Sequence, residues 1–203
     1  MHDVNKVPRT PKQSRSQMTK AAIVKTALDL FCRQGFHETT TNQIAKDAGL
    51  AIGSVYAYFR DRDAILYEIL DRYHEQFQSL HQQVMGTSNT NDIRKALRAF
   101  IHGLVRIHRR TKKLNKELNA LYFTNSRVAA VRDTRDEETR RLIVKYIRRW
   151  DHHGKVKDPE ATAAAAFILV SGVVDQIVFG KKTVNADRLT SAAVDVLYKY
   201  LTG

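Results

Sequence analysis

The sequence predicts an all-α fold in which a three-helix head carrying a helix-turn-helix precedes a larger helical domain. Three observations predict it. Apolar residues recur at helical spacing along most of the chain, and no segment alternates apolar and polar residues as a half-buried strand does. Only nine glycines and three prolines punctuate 203 residues, too few for the many turns of an all-β chain. The expected division is a flexible basic arm over 1–16, the helix-turn-helix domain over 17–62 and the larger helical domain over 63–203.

The arm holds Pro8, Pro11, Ser14 and Ser16 with the basic Lys6, Arg9, Lys12 and Arg15 and almost nothing apolar. It is either a frayed terminus or a segment that touches a polyanion. From about Gln17, Ile23, Ala27, Leu30 and Phe31 follow a helical period that stops at Gly35, a residue suited to ending a helix. Cys32, the only cysteine, lies on this helix as a small, half-buried residue or a reactive thiol, and excludes an intrachain disulfide or a cysteine metal cluster.

Two very short helices then surround one glycine. A threonine at 39–41 can cap the first, Ile44 and Ala48 share its inner face, and Ala45 is small enough to let a second helix cross closely. Gly49 supplies the positive φ of a tight turn, and Leu50 and Val55 fill the space between the helices. The pattern fits a helix-turn-helix, and other helical hairpins share such offsets. Ser54, Tyr56 and Tyr58 beside Arg60 and Arg62 bring the hydroxyls and guanidinium groups that phosphate oxygens accept from.

From Asp61 a long helix is expected to run to about Met85, with Leu66, Ile69, Leu70, Tyr73, Phe77, Leu80 and Val84 on one stripe. Residues 86–91 read as a loop, and Asn91 or Asp92 can cap the helix carrying Ile93, Leu97, Phe100, Ile101, Leu104 and Ile107. Another helix follows through Leu121, and a charged one from about Val128 to Trp150 closes at His152, His153 and Gly154. Asp158 and Pro159 are a strong helix start, and the helix running to Gly180 is apolar on more than one face, through Ala163, Ala164, Ala165 and Ala166. Such breadth suggests burial against neighbours within the chain, or against one neighbour inside and one outside it. Asn185 can cap the last helix, striped by Leu189, Ala193, Val196, Leu197 and Tyr200.

The net charge of +13, with an isoelectric point near 10.0, is the usual footprint of a nucleic-acid partner, although solubility alone can produce it. Its distribution is uneven, +3 over residues 1–70 and +10 over 71–203. The run Arg106, Arg109, Arg110, Lys112, Lys113 and Lys116 could draw an anionic ligand or DNA, or be a solvated face. No window approaches the roughly 20 uncharged apolar residues that span a bilayer, and no apolar segment follows the basic N-terminus. These features and the single cysteine predict a cytoplasmic protein with no membrane partner.

Catalysis is not expected: there is no Gly-x-Ser-x-Gly, no phosphate-cradling glycine loop and no cysteine and histidine ligand spacing. No cofactor and no metal are expected either. His74 and His81 stand seven residues apart, about 10 Å along a helix, too far to share an ion. His102 and His108 are six apart and point differently. The candidate walls of an apolar ligand pocket are Phe77, Phe100, Leu104, Tyr122, Phe123, Trp150 and Phe167, each of which can equally be plain core.

The run from Ile23 through Leu66 resembles the DNA-binding domain of the TetR family of bacterial transcriptional regulators. The resemblance is carried by Ala27, Leu28, Leu30, Phe31, Gly35 and Phe36, by Thr40, Thr41, Ile44, Ala45, Ala48 and Gly49, and by Gly53, Ser54, Val55, Tyr56, Tyr58, Phe59 and Leu66. It implies that residues 52–58 enter the major groove, that Thr41 faces phosphate, that Gly53 and Ser54 approach the groove and that Tyr56 and Tyr58 grip the backbone. Tyr58 has a second reading, packed beneath the motif. Arg62 stands where the family usually has a phosphate-contacting lysine and keeps the charge but not the shape. Two positions depart from the family. Ala51 cannot cap, and Ile52 offers only apolar contact, for example to a thymine methyl.

The resemblance further implies that the larger domain binds a ligand and dimerises, and that residues 159–201 pair with a second copy as a four-helix bundle. Two readers would then stand roughly 34 Å apart on a palindromic operator in double-stranded DNA. The expected protein is a ligand-responsive regulator, a repressor released by a largely apolar small molecule. The alternative is a constitutive or architectural DNA-binding dimer without a ligand.

Overall fold

The computed structural model describes residues 12–86, 92–151, 154–181 and 183–202. Among them are nine α-helices, one π-helical turn and no strand, in agreement with the all-α expectation. The chain divides into two compact units, Met1–Arg72 and Tyr73–Gly203.

Unit one contains α1 (Lys12–Gln34), α2 (Thr41–Asp47), α3 (Ile52–Tyr56) and the first half of α4 (Arg62–His81). Ile23, Val24, Ala27, Leu30 and Phe31 form the buried face of α1, and the Phe31 ring meets Phe36 edge-on with centroids 5.2 Å apart. Gly35, at φ 94°, ends α1 in the left-handed conformation that a side chain disfavours. Ile44, Ala45, Val55, Phe59, Ile65, Leu66, Ile69 and Leu70 add to the buried apolar set, so each short helix is held by tertiary burial, which a five- or seven-residue helix needs to persist in water.

Helix α1 begins at Lys12, inside the segment expected to be an arm. Arg15, Ser16, Gln17 and Met18 are all exposed, so this first stretch of helix carries no apolar period by which a sequence could announce it. Residues 1–11 of the expected arm lie outside the described residues. The division between units falls within α4, whose buried Ile65, Leu66 and Ile69 belong to unit one.

Unit two takes the second half of α4, the π-helical turn Gln82–Gly86, α5 (Ile93–Arg110), α6 (Lys112–Thr124), α7 (Ser126–Trp150), α8 (Pro159–Phe179) and α9 (Ala186–Thr202). Side-chain caps start four of them. Asp92 accepts from the Lys95 amide at 2.9 Å, Asn125 from Arg127 and Val128 at 3.1 Å, Asp158 from Ala161 at 2.9 Å, and Asn185 from Asp187 at 2.8 Å. The Asn125 cap starts α7 at Ser126, earlier than the apolar pattern suggested. Most of the expected loop over 86–91, and the pair His152 and His153, lie outside the described residues.

The core of unit two joins α5, α7, α8 and α9 through Leu97, Ile101, Ile147, Ala163, Val174 and Val194 among others. Gly103 lets α4 and α5 approach closely, because a Cβ there would collide with the Leu80 side chain. Contrary to the sequence expectation, one helix is long and apolar enough to cross a membrane. An 18-residue window of α8 has a mean hydropathy of 1.9, with a third of it buried. A helix packed on several sides passes the same test. Here α8 packs against α5, α7 and α9 and leaves a narrow outer stripe exposed.

Candidate functional site

The helix-turn-helix is built by backbone rules with few side-chain specifics. Thr40 caps α2, its hydroxyl accepting from the Gln43 amide at 3.2 Å. Ile44 and Ala45 are buried beneath it, and Gly49 turns the chain at φ 68°. No atom lies within 4 Å of a Cβ built on Gly49, so the dihedral alone demands glycine there. Helix α3 starts at Ala51 without a side-chain cap, the lack foreseen from the sequence. Val55 is its one buried residue, which leaves Ile52, Gly53 and Tyr56 exposed.

Of the seven candidates for DNA contact, Thr41 on α2 and Tyr56 on α3 meet directly, hydroxyl to hydroxyl at 3.2 Å. Ile52 and Gly53 stand exposed at the start of α3, and Ser54 is half-buried. Gly53 has nothing within 4 Å of where a Cβ would sit, so the protein's own packing does not require a glycine there. Thr39, Thr40, Thr41, Tyr56, Arg60, Asp61 and Arg62 line a shallow, open depression on this surface.

Two candidates are engaged within the protein. The Tyr58 hydroxyl donates to the Ser16 hydroxyl of α1 at 3.2 Å, in keeping with its packed reading. The Arg62 guanidinium is half-buried and bonded within the head. Its Nη1 donates to the carbonyls of His37 at 2.8 Å and Thr39 at 2.7 Å, and it lies 4.2 Å from the centroid of the Phe36 ring. A planar guanidinium satisfies two turn carbonyls and stacks on an aromatic face at once, so the turn leading into α2 captures it. Arg60, which was not among the seven, is more exposed and pairs with Asp61 at 2.8 Å.

In unit two the seven apolar candidates do not form one wall. Trp150 is core and stacks on Tyr146 at 5.4 Å, with Phe100 and Leu104 packed against the same cluster. Phe77 packs edge-on against Tyr73 and His108, at 4.8 and 5.6 Å. Phe167 is half-buried, 5.7 Å from the Arg140 guanidinium. Tyr122 donates to Asp133 at 2.9 Å, and Phe123, at the end of α6, is 85% exposed, which removes it from any pocket wall. Neither of the two best-formed depressions of the described surface touches these residues.

A polar group beside Phe77 went unnoticed in the sequence. The Tyr73 hydroxyl donates to the Asn115 carboxamide oxygen, and the Asn115 amide donates to Thr111 at 3.3 Å. His108 lies at the same end, and its buried Nδ1 has no hydrogen-bond partner among the described residues. Burial pushes its imidazole below the usual pKa, opposed by Asp175, whose carboxylate is 4.0 Å away. Burial likewise pushes the Tyr73 phenol up. Polar residues at 108, 111 and 115, spaced for one helical face inside an otherwise cationic run, were the available signal. His81, also lowered by burial, meets the Tyr146 hydroxyl at 3.2 Å.

Residues 23–69 match the family model described as "Bacterial regulatory proteins, tetR family". The chain is 29% identical over 183 residues to the HTH-type transcriptional regulator TtgR of Pseudomonas putida, covering 83% of each protein. Against the uncharacterized HTH-type regulator YdgC of Bacillus subtilis it is 26% identical over 106 residues and spans about half that protein's length, 54%. The same fold occurs in a putative TetR-family regulator from Syntrophomonas wolfei, with a TM-score of 0.73, 14% identity and coverage of 92% of this chain and 96% of that one. It also occurs in the SmeT–triclosan complex, with a TM-score of 0.72, 20% identity and coverage of 90% and 91%. An exposed α3 on an all-α scaffold, the matched head and the relatives at both lengths agree: residues 23–69 form a head of the kind found in the TetR family of bacterial transcriptional regulators, and the chain has the fold of solved regulators of that family.

Proposed function

We propose that the protein is a ligand-responsive, sequence-specific regulator that binds a palindromic operator as a homodimer and, as a repressor, releases it when a small molecule occupies unit two. The observation that carries the reading is the solvent face of α3, where Ile52 and Tyr56 are exposed and Gly53 has an open position that no internal contact explains. A helix laid in the major groove needs such a face: close backbone approach at Gly53, an apolar contact from Ile52 and a hydroxyl from Tyr56 to the sugar-phosphate edge. Thr41 and Ser54 complete the surface.

Dimerisation is supported by the outer stripe of α8 and α9. Ala161, Ala165, Ile168 and Gly172 recur at helical spacing and are exposed, as are Val196 and Tyr200 on α9, with Ile168 at 69%. An apolar stripe of small residues on two adjacent helices suits a two-fold partner, whose helices would complete a four-helix bundle. For the ligand, the His108 Nδ1, buried next to Phe77 without a hydrogen bond and with the Asp175 carboxylate 4.0 Å away, supports a site in unit two, because a buried polar atom without a hydrogen bond costs about 1–3 kcal/mol until one forms. The fold shared with a triclosan complex supports the same reading. A ligand releases DNA only to the extent that it binds the released form more tightly.

The second reading, a constitutive DNA-binding dimer, is favoured by one observation: the best depression in unit two is shallow and lies on the α8–α9 face. Selection of bound sites from random duplexes separates the two. Enrichment of an inverted repeat, followed by release from it in a small-molecule screen, supports the regulator. Salt-sensitive binding without any enriched sequence would sink that reading in favour of the architectural one.

A further inference from the structure

Residues 93–116, α5 and the first turn of α6, hold nine Lys or Arg and no Asp or Glu. Some of these cations have internal work. Arg94 pairs with Asp195, Arg98 donates to Ser191 at 2.8 Å, and Lys112 donates to the Val178 carbonyl at 2.9 Å. Arg106, Arg109, Arg110, Lys113 and Lys116 are different. All five are exposed, and none forms an ion pair among the described residues. They gather where α5 ends and α6 begins, and Lys181 is exposed just beyond the end of α8, which the Lys112 bond holds nearby. Asp175 also lies at this end, facing His108. The Tyr73 hydroxyl bonds to Asn115 on the same stretch of α6.

Helix stability does not account for the cluster. Cations in the last turn of α5 suit the negative end of its dipole, but Lys112 and Lys113 sit at the positive end of α6, whose first turn holds no acid. Five unpaired charges crowded there repel one another and destabilise the unit unless a polyanion neutralises them. We propose that this end of unit two is a second DNA-contacting surface, which neutralises phosphates of duplex DNA beyond those that the helix-turn-helix reaches. The proposal rests on the DNA-binding reading above.

The chemistry selects that partner. Arg106 and Arg110 stand about one turn, roughly 5.4 Å, apart along α5, as Lys113 and Lys116 do along α6, and neither depression encloses them, which suits an extended row of phosphates better than a small anion. No large apolar side chain is exposed between Arg106 and Lys116, so the patch lacks the apolar insert of a membrane-surface helix. It also holds no Phe, Tyr or Trp on which the bases of a single strand would stack, and its one imidazole, His108, packs on Phe77.

The test uses the full-length protein on an enriched operator carrying ten extra base pairs on each side. A five-site variant, Arg106→Gln, Arg109→Gln, Arg110→Gln, Lys113→Gln and Lys116→Gln, is compared with wild type in the slope of log affinity against log salt. Each neutralised phosphate contributes about 0.9 to that slope, so a slope shallower by about 2–4 is expected, with affinities converging at high salt. Ethylation interference should show phosphates whose modification weakens wild type but not the variant. Replacing the three arginines by lysine should leave the slope intact, because a phosphate row takes point charges. If the five-site variant loses helicity, the Arg109→Gln, Arg110→Gln pair replaces it, with a slope change of about 1–2. An unchanged slope and interference pattern would overturn the proposal while leaving operator binding standing. Loss of retention on anionic vesicles with an unchanged operator slope would assign the patch to membrane and overturn it as well. Failure of wild type to enrich any sequence would instead strike the regulator reading itself.

Discussion

The two units of this chain solve opposite problems. Unit one turns its shortest helix outward: α3 keeps one residue, Val55, for the protein and leaves Ile52, Gly53 and Tyr56 outside. Unit two does the reverse with its polar groups, enclosing Asn115 and the Nδ1 of His108 while exposing an apolar stripe on α8 and α9. A surface that reads DNA must be formed before its partner arrives, so its chemistry stands in the open. A site that answers to a small molecule must hide its polar atoms from water, and an assembly face is apolar until it is covered.

The comparison breaks most visibly at the assembly face. Ile168→Glu should leave the helicity of the monomer intact, because the side chain is already 69% exposed in the single chain. In a two-fold interface it buries two unpaired carboxylates, so the dimer should dissociate and operator affinity should fall at least 100-fold. Sedimentation at several protein concentrations reads the first effect and operator titration the second. A variant that stays dimeric would move the interface away from α8.

Arg62 sharpens the contrast inside unit one, because it looks like a contact residue and is placed like a structural one. Arg62→Ala should destabilise the head by about 2–3 kcal/mol, the loss of two charge-assisted bonds and a stacked ring. Arg62→Lys should recover part of it, since one ammonium can donate to both carbonyls but has no plane to lay on the Phe36 ring. Chemical denaturation measures both. Unchanged stability with a shallower salt dependence of DNA binding would restore the phosphate role.

Gly53→Ala separates the two demands on α3. With open space around its Cβ, alanine should hold or raise stability by up to about 1 kcal/mol through helix propensity. Operator affinity should fall about tenfold if the backbone approaches the groove there. Equal affinity with raised stability would mean that Gly53 serves neither purpose.

What was legible in the sequence follows the same line. The head obeys local rules, so Gly35, Gly49 and the threonine cap could each be placed from the residues alone, and the uncapped Ala51 from the family resemblance. What the residues alone did not show is long-range: Arg62 bonds to carbonyls 25 and 23 residues away, and Tyr58 to a hydroxyl 42 residues away. In unit two the helix starts at Asp92, Asp158 and Asn185 were equally legible. Its interior was not, because aromatic residues at helical spacing look alike whether they line core, pocket or surface. Phe123 proved exposed and Trp150 buried, while Tyr73 and Asn115, 42 residues apart, pair only once the bundle has formed.

The smallest expected effect tests whether the enclosed polar atoms of unit two carry a measurable energetic signature. His81 and His108 are both pushed below the ordinary imidazole pKa by burial, with Asp175 raising and Arg132 lowering His108 further. Between the folded pKa and the unfolded value near 6.5, the unfolded chain therefore binds more protons. Unfolding free energy should rise with pH through that window, and the stability conferred by the neutral rings, complete above about pH 6.5, should fade on acidification until the folded rings also protonate. The double variant His81→Gln, His108→Gln should flatten that part of the stability profile, by less than the Arg62 loss, in denaturation curves taken at half-unit steps from pH 7.5 downward. The His108→Gln change alone also bears on the ligand. If the imidazole Nδ1 waits for a partner, an inducer found by screening should bind this variant more weakly while operator affinity without inducer stays at the wild-type level. An unchanged inducer affinity would return His108 to the role of a buried ring packed on Phe77.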